Sequence, residues 1–318
     1  GIVMLVLAGS SISDTGNWVA EETTGATLKI VDEDGEGDFG FAFFVIGISI
    51  KMALFPMHTW LPGAYSNAPS AVSALIAATP TQGAAYVLIR VMFFVFEPRF
   101  SIEMIPVTTV LSWMGAVAMI LGSVMAIAQS DFKRMLAYSS VAQIGYIVLG
   151  IGLANANGFT GGILHLVNHA FMKGGLFLVA GAIVYRTGLR EIREFRGLSL
   201  KMPVTAATFT VCTFAMIGIP PTGGFFSKLY LILGAIDAGH WVFVGVIVLS
   251  SVLALAYLAN VLRYIYFPKE ATAGGGGGQP VPEAIKRDEV PWTMLGPMLA
   301  ITAVIVLLGV FNGEVVGR

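Results

Sequence analysis

Residues 159–185 read Phe159-Thr-Gly-Gly-Ile-Leu-His165-Leu-Val-Asn-His169-Ala-Phe-Met-Lys173-Gly-Gly-Leu-Phe-Leu-Val-Ala-Gly-Ala-Ile-Val-Tyr185. The stretch holds one formal charge and no proline, and it exceeds the roughly 20 apolar residues that span a bilayer. It therefore predicts a membrane helix. Its ionisable residues fall at steps of four. Each such step turns a helix by about 40° and climbs about 6 Å, so His165, His169 and Lys173 share one face over about 12 Å. An ion at mid-membrane costs at least about 2.5–3.5 kcal/mol on insertion scales. A ladder of three titratable groups in such a place points to a proton relay. A purely structural polar stripe is the plainer alternative. A metal site is the third, because histidines at i and i+4 suit zinc, but lysine is a poor ligand and no carboxylate is near in sequence.

The rest of the chain has the same character. Its 318 residues are 56% hydrophobic and 12% charged, against about 25% charged in ordinary soluble domains. The mean hydropathy is +0.81. These values exclude a cytosolic globule. The balance of 18 Lys+Arg against 19 Asp+Glu leaves no basic surplus for nucleic acid. Cys212 is the single cysteine, which excludes a disulfide framework and an iron–sulfur or Cys-zinc site of the chain's own. Beside 159–185, complete spans are expected at 39–60, 69–96, 105–130, 135–154, 203–235, 241–267 and 292–311, with a partial span at 1–13. The fold class is an all-α polytopic membrane protein of about eight full transmembrane helices plus one partial. No cofactor motif, metal site or second soluble domain is evident.

Two further lysines stand at interrupted helices. Lys228 follows Gly218-Ile-Pro-Pro-Thr-Gly-Gly224, which should break the span 203–235. Lys51 precedes Pro56, which predicts a second interruption. Paired broken helices are the sequence signature of transporters built from inverted repeats. Desolvation disfavours a charged amine, so a lysine buried at such a break is suited to exchanging its proton. Snorkelling to an interface is the alternative for Lys228, and equally for Arg90. All 19 carboxylates fall in loops or at helix ends. The buried lysines therefore need acids from outside this chain, or must stay largely neutral.

Lys and Arg concentrate in the loops 131–134, 186–202 and 268–291, which places these on the cytoplasmic side of the membrane. The acidic loop 14–38 then lies outside. The run Gly274–Gly278 reads as a flexible linker and lacks the Gly-Lys-Ser/Thr of a phosphate loop.

At these residues the sequence resembles the antiporter-like proton-translocating subunits of respiratory complex I, membrane-bound hydrogenases and multisubunit Na+/H+ (Mrp-type) antiporters. The matching stretches are Lys51–Pro62, Ala68–Ile76, Ser130–Ser140 with Gln143–Tyr146, His165–Lys173 and Gly218–Lys228. Ile-Gly-Ile-Pro-Pro followed by Phe-Ser-Lys-Leu-Tyr looks most like the Mrp D-type subunit. The resemblance implies that Lys51 and Lys228 are the lysines of two broken helices, and that His165, His169 and Lys173 form the central hydrophilic axis between two half-channels. Gln82 stands where the family has a further lysine, and glutamine carries no proton charge. The family also has about six helices ahead of residue 1, so the chain is expected to be a fragment lacking its N-terminal part. In these terms 1–97 ends a first inverted repeat, 105–267 forms the second, 268–291 is the Gly-rich cytoplasmic linker, and 292–318 is the final helix and tail.

The implied function is proton translocation within a multisubunit membrane complex, by monovalent cation/proton antiport with Na+ or K+. The partners are other membrane subunits. One alternative is the pumping subunit of a hydrogenase or NADH dehydrogenase complex, with no catalytic chemistry of its own. The other is a structural subunit that conducts nothing.

Overall fold

The computed structural model describes residues 36–95, 107–267 and 287–316. The expected partial span 1–13, most of the acidic loop, the loop 97–104 and the glycine run lie outside the described residues. The described chain is helical, and its one backbone bridge outside helices pairs Asp131 with Glu191. Among the described residues, six helical stretches are long and apolar enough to cross a membrane. The chain is an integral membrane protein.

The elements follow the apolar spans. α1 is Glu36–Met52, α2 is Trp60–Asn67, α3 is Ser70–Ala78 and α4 is Pro80–Arg90, followed by a π-turn at Val91–Val95. α5 is Val107–Ile127, α6 is Phe132–Gly152 and α7 is Ala156–Thr187. After a 3-10 turn and the short α8, Leu198–Lys201, α9 is Pro203–Ile217 and α10 is Gly223–Asp237. α11 is Trp241–Tyr266, α12 is Trp292–Val310 and α13 is Asn312–Val316.

The interruptions have local causes. α9 stops at Gly218, whose φ of 93° is the left-handed conformation that glycine adopts at little cost. The N–H groups of Gly218 and Ile219 both close on the Phe214 carbonyl at 2.9 Å. α10 then starts so close to α9 that a Cβ on Gly224 would stand 1.9 Å from the Ala215 carbonyl oxygen. The expected interruption near Pro56 is present between α1 and α2. The expected span 69–96 is present as Ser70–Phe93, with a third interruption at Thr79. Pro80 lacks an N–H and restricts Thr79, which sits at φ −124°, ψ −60° between α3 and α4.

α6 is the hub, with its whole span buried. α5 and α6 approach until a Cβ on Gly145 would meet the Gly115 carbonyl oxygen at 2.5 Å, the small-residue contact of membrane helix pairs. On the outside, Val110, Trp113, Val117, Leu121 and Val124 form an exposed apolar stripe along α5. Such a stripe is stable against lipid and not against water.

α12 is fastened to the broken span at its start. The Glu289 carboxylate accepts from Val204 N–H at 2.5 Å, Thr205 N–H at 3.2 Å and the Thr205 hydroxyl at 2.9 Å. This caps α9 with a charge at its positive end. Glu289→Ala should cost about 1–3 kcal/mol. A lower thermal unfolding midpoint of the purified protein checks this, and an unchanged midpoint would contradict the capping role.

Candidate functional site

Burial in α7 and the break between α9 and α10 together build one polar seam through the apolar interior. Lys173 is fully buried. Its ammonium donates to the Leu136 carbonyl at 2.9 Å and to the Ser139 hydroxyl. One turn away, His169 Nδ1 lies 2.7 Å from Gln82 Nε2. A further turn on, His165 Nδ1 lies 3.0 Å from Ser227 Oγ, and Nε2 lies 3.0 Å from Gln143 Oε1. The two imidazole rings are nearly parallel, 10° apart, with centroids separated by 6.4 Å. That matches the climb expected from their spacing. The gap is one that a single bridging water spans.

Lys228 ends the seam. The break at Gly218 leaves the last carbonyls of α9 without helical partners, and Lys228 Nζ donates to those of Met216 and Ile217, each at 2.9 Å. It also donates to Ser251 Oγ at 3.1 Å and stands 4.8 Å from the Tyr146 ring centroid. Tyr146 contacts His165 as well, with ring centroids 5.0 Å apart, and its hydroxyl lies 3.2 Å from Ser251 Oγ. Tyr146 and Ser251 thus link the histidines to the terminal lysine. The broken helix supplies the carbonyl dipoles, and the tyrosine ring supplies a face that favours a cation.

The structure brings together His165, His169, Lys173 and Lys228, and places Gln82 against His169. Among the described residues, the buried lysines are met by carbonyl and hydroxyl oxygens rather than carboxylates. Lys51 does not join them. It lies exposed on the last turn of α1, which corrects its reading as a buried lysine. Among the described residues, α1 packs chiefly against α4. Arg90 is exposed on the last turn of α4. His58 is buried beside the rings of Phe55 and Tyr138. The sequence reading assigns no role to Ser139, Gln143, Tyr146, Ser227 and Ser251. The first three fall at i, i+4 and i+7 of α6, a polar stripe that helical spacing alone could have revealed. Among the described residues no three His, Cys, Asp or Glu side chains stand close enough to share a metal ion.

A seam of alternating amines, imidazoles and hydroxyls beside broken helices defines a membrane subunit of the antiporter-like class. The family described as NADH:quinone oxidoreductase/Mrp antiporter, TM matches residues 1–254. The chain belongs to that family. It is 46% identical over 278 residues to NADH-quinone oxidoreductase subunit N of Desulforudis audaxviator (strain MP104C), covering 87% of this chain and 55% of the relative. It is 37% identical over 243 residues to F(420)H(2) dehydrogenase subunit N of Methanosarcina mazei, covering 73% and 48%. In fold it matches a chain in the structure of the Mrp complex from Dietzia sp. DQ12-45-1b with a TM-score of 0.80 and 26% identity, over 99% of this chain and 65% of that one. The chain thus spans about half the length of the curated relatives it matches.

Proposed function

We propose that this chain is part of a proton-translocating subunit of a multisubunit membrane complex. Protons are relayed through Lys173, His169, His165 and Lys228. The observation that carries this reading is the buried seam itself, in which Tyr146 and Ser251 bridge from His165 to Lys228. Lys51, which stands apart from this seam beside the interruption at Pro56, is in this reading the proton-carrying lysine of the other broken helix. In this reading 1–97 closes the first inverted repeat, 105–267 is the second, 268–291 is a linker and 292–318 the final helix. The complex sits in a prokaryotic cell membrane, with 131–134, 186–202 and 268–291 on the cytoplasmic side.

Two couplings have support. The likeness to a chain of the Mrp complex supports monovalent cation/proton antiport with Na+ or K+. The higher identity to an NADH-quinone oxidoreductase subunit N supports redox-driven pumping with partner subunits that hold the cofactors. The complex that contains this chain, sealed into liposomes with an internal pH dye, separates them. Antiport acidifies or alkalinises the lumen when a Na+ or K+ gradient is applied, and redox-driven pumping does so only when an electron donor and a quinone are supplied. In either case His169→Ala should cut proton flux by at least about a hundredfold, the size of a lost proton-transfer group, with the complex still assembled. Flux unchanged in that variant would show a structural subunit that conducts nothing.

A further inference from the structure

The neighbours of Gln82 set the direction of its amide. Gln82 Nε2 lies 3.1 Å from the carbonyl oxygen of Ala77, which can only accept. Gln82 Oε1 takes the Thr81 hydroxyl at 2.7 Å. Turning the amide over would set two oxygens against each other at Ala77. Ala77 belongs to the last turn of α3, beside the break at Thr79, where carbonyls lose their helical partners. The amide nitrogen therefore also faces His169 Nδ1, at 2.7 Å, and uses its second hydrogen there. A nitrogen that receives a hydrogen bond must present its lone pair. The neutral imidazole that does so at Nδ1 carries its hydrogen on Nε2.

His165 is surrounded in the opposite sense. Oxygens of Ser227 and Gln143 face its two nitrogens, and the Ser227 hydroxyl donates to the Gly224 carbonyl at 3.0 Å. An imidazolium, which donates from both nitrogens, finds acceptors there. His169 cannot accept a second proton while Gln82 donates to it. The added proton would form its N–H bond at Nδ1, where the amide N–H already points.

We infer that Gln82 is a positioning residue that holds His169 as the neutral Nε2–H tautomer, so that His169 takes up a proton only when the Gln82 amide turns over. Turnover brings Oε1 to Nδ1, where it accepts the new N–H. It releases the Ala77 carbonyl and reverses the Thr81 hydrogen bond. In this arrangement His165 is the imidazole with an oxygen facing each nitrogen, and His169 is the gated step between Lys173 and His165. The gating role rests on the proposed proton relay, whereas the tautomer follows from geometry alone.

The test is solid-state 15N spectroscopy of the intact assembly in lipid with labelled histidine, recorded without any gradient. The chain has four histidines, and His169 is assigned by the signal that His169→Ala removes. The expected spectrum shows His169 with hydrogen on Nε2 alone. Gln82→Glu supplies an acceptor in place of the donor and should move hydrogen onto Nδ1. Gln82→Leu supplies neither and should give a mixture. Hydrogen on Nδ1 in the unaltered protein would overturn the inference. An unchanged Nε2–H signal in either variant would overturn it too, because a merely space-filling Gln82 leaves the tautomer alone. If Gln82→Glu fails to assemble, the unaltered protein and Gln82→Leu still decide. An assembly that moves no protons would refute the proposed function and leave the tautomer result standing.

Discussion

Lys228→Ala is expected to bring coupled proton flux down to the leak of the liposome, a loss of at least about a hundredfold. The amine is the one ionisable group at the break in the span 203–235, held by two carbonyls, a hydroxyl and a tyrosine face. Lys228→Arg should be nearly as damaging. A guanidinium keeps the positive charge and the donors but does not release its proton in a protein. Flux is read with a pH dye, and assembly by co-purification of the partner subunits. Normal transport in the arginine variant would make Lys228 a fixed electrostatic post and not a carrier.

Lys173→Met is the second large effect. Methionine fills most of the lysine's volume and removes the amine, so the packing around α6 and α7 is largely kept. The Leu136 carbonyl and the Ser139 hydroxyl lose the amine as a donor, but the carbonyl still accepts from the Ser139 and Ser140 hydroxyls, so the cost is about 0.5–1.5 kcal/mol of stability. The complex should therefore assemble and melt somewhat lower. Its flux should fall as far as that of Lys228→Ala, because the two lysines stand at opposite ends of one series. Flux near normal in Lys173→Met would mean that protons join the seam at His169 or beyond, and that the lysine only ties α7 to α6.

Much of this architecture is legible in the amino-acid sequence. The near absence of charge over 159–185 identifies a membrane helix, and its spacing of four puts three titratable groups on one face. Gly218 and the paired prolines announce the broken span, because no regular helix accommodates them. Three features resist such a reading. The Thr79 break follows from a single proline within an otherwise apolar run, and such a run reads as continuous. Lys51 reads as buried because the residues around it are apolar. Burial, however, depends on which helices cover α1, and sequence does not give that. The partners of the stripe are hidden for a related reason. Ser139, Gln143, Tyr146, Ser227 and Ser251 are ordinary polar residues in helices, and only packing shows that they converge. Gln82 is the sharpest case. As a replacement for a chargeable residue it reads as a gap in the relay, yet its amide meets His169 directly.

The central claim is that the buried histidines change protonation as protons cross. Infrared difference spectroscopy tests this most directly, on the assembly in liposomes with isotope-labelled histidine, while a gradient or electron donor drives transport. The account predicts imidazole bands that shift with the label, appear during turnover, and vanish in Lys228→Ala. Full proton flux with no histidine band in the difference spectrum would contradict it.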